Sequence, residues 1–127
     1  MISAAKVGQL SISLTFGQGE HSRDVVFSPD GTALASVAEN NEDFAIRLWA
    51  LSSGEPLSAL EGHESIIWGL AFSPDGRWLA SASRDSTPKV WDWRIGLLVQ
   101  SLDFSNEVTS VVFSPDGWTM AVGGVDQ

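Results

Sequence analysis

The pentapeptide Phe-Ser-Pro-Asp-Gly occurs three times in 127 residues, at 27–31, 72–76 and 113–117, with spacings of 45 and 41 residues. Chance recurrence at that density is negligible, so the chain is built from a repeated unit. Each copy reads as a tight turn. Pro sets φ for its first corner, Asp bonds its own backbone, and Gly accepts a positive φ. Apolar stretches precede the turns at Val25-Val-Phe27, Leu70-Ala-Phe72 and Val111-Val-Phe113. Others follow at Thr32 to Ser36, Arg77 to Ser81 and Trp118 to Val122. Short apolar runs joined by such a turn predict β-hairpins. Phe44 to Trp49 alternates as a third strand, with Pro88 to Asp92 as its counterpart. Pro88 lacks an N–H and belongs at a strand's start or edge. Gly54 and Gly96 then mark turns before Pro56 to Leu60 and Leu97 to Leu102.

Four short strands recur in each period of about 43 residues, with no amphipathic segment of helix length. A four-stranded meander at this period is the blade of a β-propeller. The central repeat carries Gly62-His63, then Phe72 to Gly76, Leu79-Ala-Ser-Ala-Ser83, Asp85 and Trp91-Asp92. That stretch resembles a WD-repeat unit throughout. The resemblance implies an all-β fold: a propeller arc of about three four-stranded antiparallel blades, incomplete at both ends. Within it, 8–14 matches the last strand of a preceding blade, 22–60 and 65–102 are blades, and 108–123 gives the first two strands of another. Two explanations fit that inventory. The chain is a piece of a larger propeller, or identical chains join head to tail. Either way the open ends expect self-association or missing blades, because unpaired strand edges favour pairing.

The resemblance also implies a hydrogen-bonded structural relay of His63, Ser81, Asp85 and Trp91. Taken alone, Asp, His and Ser suggest a hydrolase triad. In a blade the same set satisfies buried polar groups and ties strands together, so it marks structure and not catalysis. The neighbouring repeats depart from the pattern. The first has Gln18 at the His position, keeps Ser36, Asp43 and Trp49, and has Ala50 where Asp92 follows Trp91. The third has Phe104 and Val122 at the His and Ser positions and keeps Asp126. Those two blades are expected to rely on apolar packing and to be less rigid.

The net charge of −9 and singly scattered Lys and Arg argue against a nucleic-acid partner. Apolar runs fall far short of a membrane span, and Met1 to Val7 has no signal-peptide pattern, so the expected location is cytoplasmic. There is no Cys, Gly-rich phosphate loop or catalytic carboxylate pair, and no cofactor or metal is expected. The one acidic cluster, Glu39, Glu42 and Asp43, reads as a solvated loop.

The function that the resemblance implies is a protein-interaction scaffold without activity of its own. The alternative is a regulatory or sensory propeller module of a larger multidomain protein, since the turn motif is similar to repeats of bacterial multidomain regulators; a propeller enzyme is disfavoured. Residues three and five after His63 should share one face of the innermost strand. In WD-repeat proteins such positions point to the top face, where protein partners would bind. They are Ile66 and Trp68, with Arg84 before the turn Asp. The matching positions are His21, Arg23 and Glu42 in the first repeat, and Glu107, Thr109 and Val125 in the third. For Trp68 the competing expectation is ordinary packing between blades.

Overall fold

A computed structural model of the chain describes residues 2–3, 15–16, 22–38 and 42–125. The expected strand at 8–14, and Gln18, His21, Glu39 and Asp126, lie outside the described residues. Every regular element within them is a strand. β1 (Ile2–Ser3) pairs antiparallel with β2 (Thr15–Phe16). A first four-stranded sheet runs in chain order through β3 (Ser22–Phe27), β4 (Ala33–Ala38), β5 (Ile46–Ala50) and β6 (Pro56–Leu60). A second runs through β7 (Ile67–Phe72), β8 (Trp78–Ser83), β9 (Lys89–Asp92) and β10 (Leu97–Ser101). β11 (Val108–Phe113) and β12 (Met120–Gly124) form a two-stranded sheet. β9 starts directly after Pro88, whose carbonyl accepts from the Leu102 amide at 3.1 Å.

The hairpin turns are built alike. The Ser28 hydroxyl donates to Asp30 at 2.7 Å and accepts the Ala33 amide at 3.0 Å, while Asp30 also accepts the Thr32 amide. Ser73 with Asp75 and Ser114 with Asp116 repeat the arrangement. The serine hydroxyl therefore closes the turn as firmly as Pro, Asp and Gly do. It is also the leading influence that lowers the carboxyl pKa of all three aspartates, Asp30 to about 2. Gly31, Gly76 and Gly117 sit at φ of 74°, 76° and 76°, which only glycine adopts without strain. A Cβ on Gly76 would stand 3.6 Å from Pro29, and one on Gly117 3.5 Å from Pro74. Consecutive turns thus stack along one rim.

Side-chain alternation packs the sheets face to face. In β8, Leu79 joins a core with Ala33, Ala35, Val37, Ile46 and Leu48 of the first sheet. Ala80 and Ala82 point the other way, against Val108, Val111, Phe113, Met120 and Val122 of the third. Each contact sets a small-residue row of one blade against larger side chains of the next, which lets twisted sheets approach closely. The second sheet is therefore covered on both faces, and β7 lies between β3 and β11. The architecture is a propeller arc, with innermost strands β3, β7 and β11 and outermost strands β6 and β10.

The small-residue row carries a direct consequence. Ala80 is fully buried, so Ala80→Leu should overpack the second interface and lower stability by about 1–3 kcal/mol. A urea midpoint equal to that of the parent chain would contradict close packing there.

Candidate functional site

The structure brings His63, Ser81, Asp85 and Trp91 into one hydrogen-bonded chain. Trp91 Nε1–H donates to Ser81 Oγ at 3.0 Å, and Ser81 Oγ lies 2.6 Å from His63 Nε2. His63 Nδ1 lies 2.8 Å from Asp85 Oδ2. One assignment satisfies every group: the Ser81 hydroxyl donates to Nε2, and the imidazole carries its proton on Nδ1 and donates it to Asp85. Protonating Nε2 would leave the Ser81 proton facing two donors. Asp85 is saturated by further donors, from the Glu64 amide at 3.0 Å and from the Thr87 amide and hydroxyl at 2.8 and 2.6 Å.

The electrostatics agree with that assignment. Burial, the largest influence on His63, disfavours the imidazolium and lowers its pKa below 6.5, against the opposing pull of Asp85. Burial works against ionisation of Asp85 too, but the donors from Thr87, Glu64 and His63 outweigh it and hold the carboxyl at about 2. The 2.8 Å contact is thus a hydrogen bond from neutral imidazole to carboxylate. Trp91 also explains Gly62, because a Cβ there would come within 3.0 Å of the indole. The connectivity Asp85–His63–Ser81 is that of a nucleophilic triad. Ser81 has no exposed surface, however, and its oxygen already accepts from Trp91. No acyl carbon can reach it in this state.

The first blade keeps the part of this network for which its sequence retains the residues. Trp49 Nε1–H donates to Ser36 Oγ at 2.9 Å, and Asp43 accepts the Ala45 amide as Asp85 accepts that of Thr87. Asp43 also takes Arg47 at 2.6 Å. The expectation that this blade relies on apolar packing in place of the relay is corrected in part: the Trp–Ser bond persists where histidine is replaced. In the third repeat Val122 packs into the second core and Phe104 is exposed. Among the described residues no three His, Asp or Glu side chains converge to hold a metal.

The expected partner-binding positions that fall among the described residues lie on the rim opposite the Ser-Pro-Asp-Gly turns. Each innermost strand has a β-bulge there, between Ser22 and Asp24, between Ile67 and Gly69, and between Val108 and Ser110. The unpaired residues are Arg23, Trp68 and Thr109. A bulge re-aims its side chain, and two of these three join neighbouring blades. The Arg23 guanidinium stacks 4.6 Å from the Trp68 ring centre, and Trp68 Nε1–H donates to Glu107 at 3.1 Å. Trp68 is half-buried and Thr109 exposed. Ile66 is a correction. The bulge breaks the alternation that put it beside Trp68, and it is buried at 8% exposure. Its carbonyl accepts the Arg84 amide at 2.9 Å, as that of Glu107 accepts the Val125 amide at 3.1 Å. Arg84, Glu42 and Val125 are exposed. A cleft of about 240 Å³ opens on the same rim between residues 42–45 and 61–63.

Sequence reasoning missed three residues. Asp24 accepts the Leu70 amide at 2.9 Å across the first blade interface. Gly69 and Ser110 stand at the matching positions, so no repeat signal marks it. Trp93 donates to the Gly76 carbonyl at 2.8 Å and packs edge-on against Phe72, and Arg94 pairs with Asp30 at 3.1 Å. Only the unusual second tryptophan after Trp91-Asp92 hinted at these.

Comparison with known proteins accords with this geometry. A family profile described as "WD domain, G-beta repeat" matches residues 54–92. An uncharacterised WD repeat-containing protein of Synechocystis is 39% identical over 106 residues, 82% of this chain and 29% of that protein. The chain belongs to the WD-repeat family. Eukaryotic translation initiation factor 3 subunit I of Pyricularia oryzae is 36% identical over 93 residues, 73% of this chain and 26% of that protein. The same subunit of Aspergillus fumigatus is 35% identical over 104 residues, 82% of this chain and 30% of that protein. This WD-repeat chain spans between about a quarter and a third of the length of these relatives.

The relay predicts a pH dependence. A folded-state His63 pKa below 6.5 gives stability that is complete above pH 6.5 and lost as pH falls through the folded value. Asp85 adds stability that is complete above its ordinary 3.8 and lost toward pH 2. Urea midpoints should fall from pH 7 to 5, and His63→Gln should remove that slope, His21 being the only other histidine. Equal slopes in both proteins would mean that His63 is not held neutral. His63→Ala should cost about 1–3 kcal/mol at pH 7 by leaving buried partners unpaired.

Proposed function

We propose that this chain presents a protein-binding surface on the rim carrying the β8–β9 turn, and that it has no catalytic role of its own. The row Arg23–Trp68–Glu107 carries this reading, since it spans three blades and holds an aromatic side chain between a cation and a carboxylate. Trp and Arg dominate the energetics of protein interfaces. Exposed Arg84, Glu42, Thr109 and Val125 extend the surface, and Ile66 supports it from below. Relatives named as subunits of a translation initiation factor support a place in a multiprotein assembly. On that analogy we assign it to the cytoplasm. The second reading is a propeller module of a larger regulatory protein, and it rests on the similarity of the Phe-Ser-Pro-Asp-Gly turns to repeats of bacterial multidomain regulators. The two readings share the same surface.

The charge of −9 favours protein over nucleic acid as partner. Catalysis at Ser81 is opposed by its complete burial. We assign the outer edge of β12, which pairs only with β11 among the described residues, to further propeller strands, from a longer chain or from a second copy. Arg84→Glu and Trp68→Ala should each weaken a cross-linked or co-purified partner at least tenfold, with Arg84→Glu leaving the melting temperature unchanged. A partner retained by both variants would place the binding surface elsewhere. If Trp68→Ala instead costs several kcal/mol of stability, that side chain belongs to the blade interface.

A further inference from the structure

A second surface lies on the outer circumference, away from the rim just described. Between the first and second sheets a groove of about 260 Å³ is lined by Leu48, Leu57 and Ser58 on one wall and Trp93 and Arg94 on the other. This is smaller than the roughly 300–1,000 Å³ of small-molecule pockets, so it suits a protruding side chain. We propose that it docks an extended peptide, which seats one apolar side chain among Leu48, Leu57 and Trp93 and offers one carboxylate to Arg94.

Four observations carry the proposal. Leu57 is 55% exposed at the mouth, an apolar side chain that the fold of this chain leaves uncovered. β6 is the outermost strand of its sheet and, among the described residues, pairs only with β5, so its outward N–H and C=O groups face an edge to which a strand can add. Among the described residues Arg94 is the only charged group lining the groove, and it is held in place by the Trp93 ring, 4.8 Å away. Its bond to Asp30 is exchangeable, being half-exposed on both sides, and Asp30 keeps its charge through Ser28 and Thr32 without it. The Trp93-Arg94 wall is also specific to the second blade. The first blade has Leu51 and Ser52 where the second has Trp93 and Arg94, so the repeat itself requires neither. In a chain of charge −9 a single cation selects one carboxylate beside an apolar residue and not an acidic tract, which the overall field repels.

The probe is an acetylated, amidated hexapeptide of leucine and serine with one glutamate, compared with the same peptide carrying lysine. In an NMR titration of the full chain, the glutamate peptide should shift the Trp93 indole N–H and the Arg94 side chain saturably. The lysine peptide should bind at least tenfold more weakly. Arg94→Glu should reverse that preference, and Leu57→Asp should abolish binding of the glutamate peptide. Both positions are exposed, so an unchanged spectrum elsewhere verifies folding. Arg84→Glu should leave the titration untouched, which separates this groove from the rim surface. Absence of a saturable shift at Trp93 and Arg94, or binding unaffected by both groove variants, overturns the proposal.

Discussion

A buried polar group has no water to fall back on and must find its partner within the protein, and that constraint governs the central blade. From Trp91 the bonds run through Ser81 and His63 to Asp85 in a single direction. This chain fastens β9 to β8, and β8 to the connection that precedes β7. The turn between β8 and β9 is held by the same carboxylate, through Thr87 and the Glu64 amide. Ser83 adds a second tie, accepting the Asp85 amide and donating to the Ile66 carbonyl. The rim around Arg84 and Trp68 therefore has a fixed shape because buried polar groups beneath it have no alternative partners.

Between blades the division of labour is different. Apolar rows fill the middle, large side chains against alanines, while polar ties sit toward the margins. On one rim these are Asp24 to Leu70 and the Arg23–Trp68–Glu107 row; on the other, Arg94 to Asp30. The buried rows supply most of the adhesion. The marginal ties are partly solvated and contribute less to stability. The β-bulges make this possible by lifting one residue per innermost strand out of the ladder. Buried adhesion and solvent-facing ties thus occupy adjacent layers of the same strands.

How much of this was legible in the sequence depends on period and punctuation. Pro and Gly at 45- and 41-residue spacings marked the hairpins, and Val-Val-Phe or Leu-Ala-Phe runs marked their strands. His63, Ser81, Asp85 and Trp91 stood out through resemblance, and the structure places them in hydrogen-bond contact. Ile66 did not follow, because a bulge shifts register without altering the hydrophobic pattern. Asp24 and Arg94 carry no repeat signal because each occurs in one repeat only, and Trp93 stands out only as a second tryptophan after Trp91-Asp92. Contacts between repeats use what differs between them, and a search for sameness passes over such residues. Arg47 shows the same limit, as its bond to Asp43 needs the folded turn to become visible.

The central claim is that a neutral His63, with its proton on Nδ1, links Ser81 to Asp85. Long-range ¹H–¹⁵N correlation of the imidazole at pH 7 tests it directly, because the two nitrogens report protonation separately. The account predicts an Nδ1–H tautomer, with Nε2 showing the shift of an unprotonated acceptor. An imidazolium, or a proton on Nε2, would contradict it.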